Sequence, residues 1–129
     1  MAHKSVVHTD HAPAPFRGAP YSQAIRLGDL VFVSGQLPLD PGTGRMVGAT
    51  IEEQTEQVFA NLRAILEKAG SSLDRVVKTT VFLTSLADFP GMTEVYRRHV
   101  GAMPPARSTV PVGAFPDGAL IEIEAIAHV

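Results

Sequence analysis

The sequence contains no cysteine and no tryptophan. Without thiols, disulfides, thiolate nucleophiles, iron–sulfur clusters and cysteine-ligated zinc are excluded, and any chemistry has to use oxygen, imidazole or guanidinium groups. Two tyrosines and no tryptophan also leave little material for a broad stacking surface on single-stranded nucleic acid. An excess of positive charge is missing too: 11 basic against 13 acidic residues give a net charge of -2. That balance offers no long-range attraction to nucleic acid or to an anionic membrane, so a bound anion has to be held by a local site. No apolar run approaches the roughly 20 residues of a membrane-spanning helix. The first residues, MAHKSVVHTD, carry neither an apolar signal core nor an Arg-rich amphipathic pattern, and the expected location is cytoplasmic.

What is present suits one domain over residues 1–129, with 45 % apolar and 19 % charged residues. The opening of the chain is expected to be irregular, and after Val6 and Val7 the stretch HAPAPFRGAP, with three prolines and a glycine, suits a fixed extended arm. AIRLGDLVFVSG reads as two strands around a Gly28-Asp29 turn, the second stopping at Ser34-Gly35, and QLPLDPGTGRMVG as a surface loop or loose hairpin. Thr50 with Glu53 forms a capping-box pattern, Val58, Leu62, Ile65 and Ala69 recur at helical spacing, and Gly70 is a natural stop. RVVKTTVFL from Arg75 to Leu83 predicts a central strand. A second helix is expected from Leu86 or Phe89 to Val100, with Phe89, Met92, Tyr96 and Val100 on one stripe and Pro90 tolerable only in its first turn. A short strand near Ser108 to Val112, a turn at Pro116-Asp117-Gly118 and a final strand follow. In LIEIEAIAHV, Ile121, Ile123, Ala125 and Ala127 share one face, and Glu122, Glu124, Ile126 and His128 the other. The pattern is α+β, with helices to cover only one sheet face.

Few residues stand out chemically. In PPARSTVPV, Arg107 follows Pro105, so its backbone has little freedom; it is either a surface arginine or a pre-fixed guanidinium that receives a carboxylate through two parallel donors. Glu122 and Glu124 form an ordinary solvent face, or one of them accepts a proton from water in a cleft; their spacing of roughly 7 Å along a strand also resembles a glycosidase pair. Tyr21-Ser22 and Ser34-Gly35 sit where strands or arms end, yet no G-x-S-x-G elbow is present. GTGRMVG completes neither a dinucleotide fingerprint nor a phosphate loop. The prolines beside His8 and His11 work against a shared metal, and Arg97-Arg98 reads as the wet side of the second helix.

Several fragments together resemble one family: APYSQAI, GDLVFVSGQLPLD, VVKTTVFL, PPARSTV and LIEIEAIA, in this order and across nearly the whole chain, look like the RidA (YjgF) family of reactive imine deaminases. The resemblance implies a chorismate-mutase-like α+β fold, a mixed sheet with two main helices on one face, assembled as a homotrimer with a cleft at each subunit interface. It implies that Arg107 holds the carboxylate of a 2-imino acid and that Glu122 positions or activates water. Tyr21, Ser34, Gly35, Phe89, Thr93 and Thr109 are the implied substrate-binding positions. No cofactor, metal, nucleic acid or membrane partner is expected.

The implied reaction converts 2-iminobutanoate, or 2-iminopropanoate formed from 2-aminoacrylate, to a 2-oxo acid and ammonia. Because it already proceeds in water, orientation and electrostatic help suffice. The alternatives are a deaminase for a larger enamine acid such as 2-aminomuconate, and a non-catalytic trimer that binds small carboxylates or client proteins. Thr93 stands where active relatives often carry asparagine, Thr109 where they often carry cysteine, and GAP precedes Tyr21 where many have GP.

Overall fold

A capping box opens the longer helix: the Thr50 side chain accepts from the Glu53 amide while the Glu53 carboxylate accepts from the Thr50 amide. The helix, α1, spans Ile51–Lys68, and the chain leaves it through Gly70 at φ +86°, a conformation that favours glycine. The second helix, α2, spans Phe89–Val100, with Pro90 in its first turn as the missing amide demands. A short 3₁₀ turn at Leu86–Asp88 leads into it, so both expected starting points mark real changes of direction. These facts come from a computed structural model, which describes residues 3–129.

Among the described residues the strands are β1 (Lys4–Val7), β2 (Ala24–Leu27), β3 (Leu30–Gln36), β4 (Val76–Leu83), β5 (Ala106–Pro111) and β6 (Ile121–His128). They form one mixed sheet in the order β1-β2-β3-β6-β4-β5. Every neighbouring pair is antiparallel except β4 with β5, which run parallel because α2 carries the chain back between them. Both helices pack on one face. There Val31, Val33, Val81, Ile121, Ile123 and Ala125 meet Val58, Phe59, Leu62 and Ile65 of α1 and Met92 and Tyr96 of α2.

Full burial of each large apolar side chain is worth roughly 1.5–3 kcal/mol, and this fixes the register of β6. A slip of one residue would move Ile121 and Ile123 to the open face and drive Glu122 and Glu124 into the core. The expected alternation therefore holds, and the core determines where the acids point.

Three expectations need correction. The start of the chain is not wholly irregular, since Lys4 to Val7 pair with Leu27 to Ala24 as an edge strand. Backbone pairing maintains this strand, because Val6 is 65 % exposed and contributes no apolar pattern. The strand expected to stop at Ser34-Gly35 continues to Gln36, with a register shift between Val33 and Gln36 that marks a bulge at the two intervening residues. The strand expected near Ser108 to Val112 starts earlier, at Ala106, because pairing with β4 begins at Lys78. β4 itself is interior, flanked by β6 and β5. No helix among the described residues is long and apolar enough to cross a membrane.

The proline-rich arm is held by one side chain. Gln23 is buried; its Oε1 accepts from the Thr9 amide at 2.8 Å, and its Nε2 donates to the carbonyls of Thr9, Ala12 and Pro13. Gln23→Leu strands several buried backbone groups at once, so it is expected to destabilise the protein by roughly 2–3 kcal/mol, read as a lower urea midpoint. Unchanged stability would show that the arm needs no clasp.

Candidate functional site

Glu122 on β6 points to the open face and lines a cleft of about 520 Å³ with Phe16, Tyr21, Ser34, Gly35 and Phe115. The bulge in β3 brings Gly35 against the carboxylate: a Cβ built there would lie 2.7 Å from Glu122 Cδ and Oε1. Only a glycine leaves the acid undisturbed. Ser34 Oγ donates to the Ser22 carbonyl at 2.6 Å, an arrangement that shapes the wall and gives the hydroxyl no base to activate it. The Tyr21 hydroxyl accepts from the Phe16 amide, closing the arm into a turn at the cleft's rim.

The cleft walls are tied to α1 by side-chain amides. Asn61 Nδ2 donates to the carbonyls of Leu37 and Leu39 at 3.2 and 3.0 Å, Gln57 Nε2 donates to Leu39 at 3.3 Å, and Gln54 Oε1 accepts from the Leu120 amide at 2.7 Å. These residues stand at i, i+3 and i+7, a polar stripe beside the apolar one, and that spacing was the available signal for them. Burial pushes the Glu122 carboxyl above the ordinary glutamate range, and the neighbouring Glu124 carboxylate adds to the effect.

Arg107 belongs to a different cleft. It stands on β5 opposite Thr79, on the helix-covered face, where its guanidinium carbon lies 4.6 Å from the Tyr96 ring centre and 5.2 Å from that of Phe89. Its Nη1 is 3.9 Å from Met92 Sδ, and none of the ion pairs among the described residues involves it. A guanidinium resting on aromatic faces with no carboxylate beside it is prepared for an anion. Pro104, Pro105 and Thr93 line the same cleft, of about 430 Å³, and Thr93 Oγ1 is buried there without a hydrogen-bond partner. Thr109 is half-buried two residues further along β5, on Arg107's face and paired with Val81.

The sequence-predicted residues thus fall into two groups. Tyr21, Ser34, Gly35 and Glu122 converge on one cleft; Arg107 and Thr93 line the other, with Phe89 against the guanidinium and Thr109 on the same sheet face. The two clefts share no lining residue. Tyr96 and Met92, which periodicity assigns to packing, are in addition direct contacts of Arg107. Within one chain the cation and the acid do not meet.

Comparison with known proteins gives a consistent result. The family model described as Endoribonuclease L-PSP matches residues 9–129. A RutC family protein of Pyrococcus abyssi is 51 % identical over 125 residues, 97 % of each chain. The 2-iminobutanoate/2-iminopropanoate deaminase of Mus musculus is 40 % identical over 124 residues, covering 96 % of this chain and 90 % of the mouse protein. The crystal structure of RidA from an Antarctic Psychrobacter superposes with a TM-score of 0.91 at 43 % identity, over 97 % of this chain and 99 % of that one. The mixed sheet with two main helices is therefore the fold of RidA structures.

The raised Glu122 pKa has a consequence for stability. Between the unfolded value of about 4.3 and the higher folded value, the native state holds a proton that the unfolded chain has lost. The stabilising contribution is complete below the unfolded pKa and disappears as pH rises through the folded one. Glu122→Gln is therefore expected to melt above the wild type at pH 7, by a few degrees at most, with the gap closing towards pH 4. A variant that melts lower at both pH values would contradict the burial argument.

Proposed function

We propose that this chain, which belongs to the RidA family, hydrolyses small 2-imino acids, with 2-iminobutanoate and 2-iminopropanoate as its substrates, in sites assembled between copies of itself. The family is one of imine and enamine deaminases. The observation that carries the reading is the division of chemistry between two clefts: an unpaired guanidinium on one face of the sheet and a desolvated carboxyl on the other. Neither cleft alone can both hold a carboxylate and activate water. Two copies can, when the Arg107 cleft of one closes on the Glu122 cleft of the next.

The open face supports association. Leu30, Phe32 and Val110 are each 37 % exposed or more, and Phe82 and Ile126 beside them are only half-buried, an apolar surface that a partner can cover. A homotrimer places one such junction after each subunit and leaves no unmatched surface, as closed cyclic symmetry requires.

In the proposed reaction an enamine tautomerises to its imine and its carboxylate docks on Arg107. Water gives a proton to Glu122 as it adds to the imine carbon, and that proton passes to nitrogen to give a carbinolamine; Glu122 then takes the hydroxyl proton and returns it to the amine as the C–N bond breaks and the C=O bond forms, and ammonia and a 2-oxo acid leave. A carboxyl whose pKa lies above the ordinary range serves this exchange well, because it accepts and returns a proton with smaller penalties near neutral pH. The substrate's carboxylate keeps its charge throughout, so Arg107 contributes equally to ground and transition states. The family description also names an endoribonuclease. Adjacent acids in the cleft and a net charge of -2 oppose a polyphosphate backbone, and the imine reading is the better fit.

Adding the protein to freshly generated 2-iminobutanoate or 2-aminoacrylate is expected to accelerate ammonia release. Arg107→Ala should lower kcat/KM by about 10²-fold, chiefly through KM, as expected when uniform binding of a charged group is lost. Glu122→Gln should lower kcat by about 10²- to 10⁴-fold, the range of a general base. Release no faster than in buffer for both imines would rule the function out. Sedimentation velocity should report three times the chain mass, and a monomer at micromolar concentration would remove the shared-site reading.

A further inference from the structure

We infer that Tyr96 is a positioning residue for Arg107, pinned through its hydroxyl to Thr79 and presenting its ring face as the platform on which the guanidinium is held. The inference rests on the proposed role of Arg107 and goes beyond it to what aims that side chain.

Three contacts carry it. The Tyr96 ring lies beneath the guanidinium, with 4.6 Å from ring centre to Cζ. Its hydroxyl makes a 2.7 Å hydrogen bond with Thr79 Oγ1, both atoms buried, and Thr79 is the residue directly across the β4–β5 ladder from Arg107. Phe59 of α1 meets the ring edge-on at 5.5 Å. The hydroxyl bond therefore sets the ring's height and tilt relative to the very strand position that Arg107 leaves from. The edge contact packs the ring against α1.

The arrangement answers a physical difficulty. Arginine has many rotamers, and one on an edge strand with no acidic partner has nothing to fix it except what it rests on. A carboxylate beneath it would fix it more strongly and would also neutralise it. A neutral ring attracts the cation through its quadrupole and takes none of its N–H donors, of which one, on Nη1, is directed at Met92 Sδ and the rest are left to the ligand. Burial pushes the Tyr96 hydroxyl above the ordinary tyrosine range, while the Thr79 hydrogen bond and the Arg107 charge oppose that shift. The phenol consequently stays protonated at neutral pH, and the platform does not become a competing anion.

The test measures kcat and KM for 2-iminobutanoate hydrolysis in the wild type, Tyr96→Phe, Thr79→Val, Tyr96→Leu and the combinations with Arg107→Ala. Tyr96→Phe and Thr79→Val each remove one end of the same hydrogen bond, so each should raise KM by about 3- to 10-fold with kcat within twofold. Their double variant should be no worse than either alone. Tyr96→Leu, which removes the ring face as well, should raise KM by roughly 30-fold. In the Arg107→Ala background none of these changes should add a further loss, because the platform then has nothing to hold.

Melting curves and oligomeric state identify variants that simply unfold, and Tyr96→Phe keeps the inference testable if Tyr96→Leu does not fold. Losses that multiply with Arg107→Ala, or that fall on kcat with KM unchanged, would overturn it. An active wild type with Tyr96→Phe and Thr79→Val both indistinguishable from it would overturn the positioning role alone. A wild type that accelerates no imine would remove the proposed function, and this inference with it.

Discussion

A strand sends alternate side chains to opposite faces of its sheet, and pairing carries that parity from one strand to the next. Phe82 pairs with Glu122 and with Val110, which places those three on the open face. Thr79 pairs with Ala125 and Arg107, which places those on the face covered by the helices. The parity of β6 is locked by burial of Ile121, Ile123, Ala125 and Ala127, and that of β5 by its ladder with β4. No rotamer change brings the cation and the acid of one chain together through the sheet between them. The same core packing that stabilises the chain thus separates Arg107 from Glu122, the two groups that the proposed reaction requires together.

Around this constraint, four amide side chains have a shared task. Asn61, Gln57 and Gln54 fasten loops at the Glu122 cleft to α1, and Gln23 fastens the arm that forms its rim. Such buried amides contribute little net stability when satisfied and cost much when stranded. Their effect is to hold irregular backbone beside Glu122 in one arrangement. Glu122 itself is held at an energetic disadvantage, desolvated and next to Glu124, as is common for groups whose proton affinity matters to their chemistry.

Much of this could be read from the residues. Alternation in LIEIEAIAHV gave the facing of the acids, the capping box and Gly70 bounded α1, and β-branched density marked β4 as an interior strand. The edge strand at Lys4 to Val7 left no such mark, because an exposed strand held by backbone pairing needs no apolar period. The bulge in β3 was equally silent: Ser34-Gly35 looks like an end, and only pairing with β6 makes it an interruption. Arg107 and Glu122 stand out as candidates individually and through the family's motifs. Their separation does not show in the sequence, because it depends on the register of β4 with both its neighbours, a long-range property that local spacing does not encode.

Subunit complementation tests the central claim most directly. Arg107→Ala and Glu122→Gln are prepared separately, mixed in equal amounts under mild denaturant, and allowed to reassemble before imine hydrolysis is measured at substrate well below KM, where each variant alone is slower than wild type by about 10²-fold or more. If every site takes its arginine from one copy and its glutamate from the next, random mixing makes about a quarter of the sites intact, and activity returns to about that fraction of wild type. If arginine and glutamate act within a single chain, every site in the mixture carries one of the two defects. A mixture that reassembles fully and stays inactive would contradict the account.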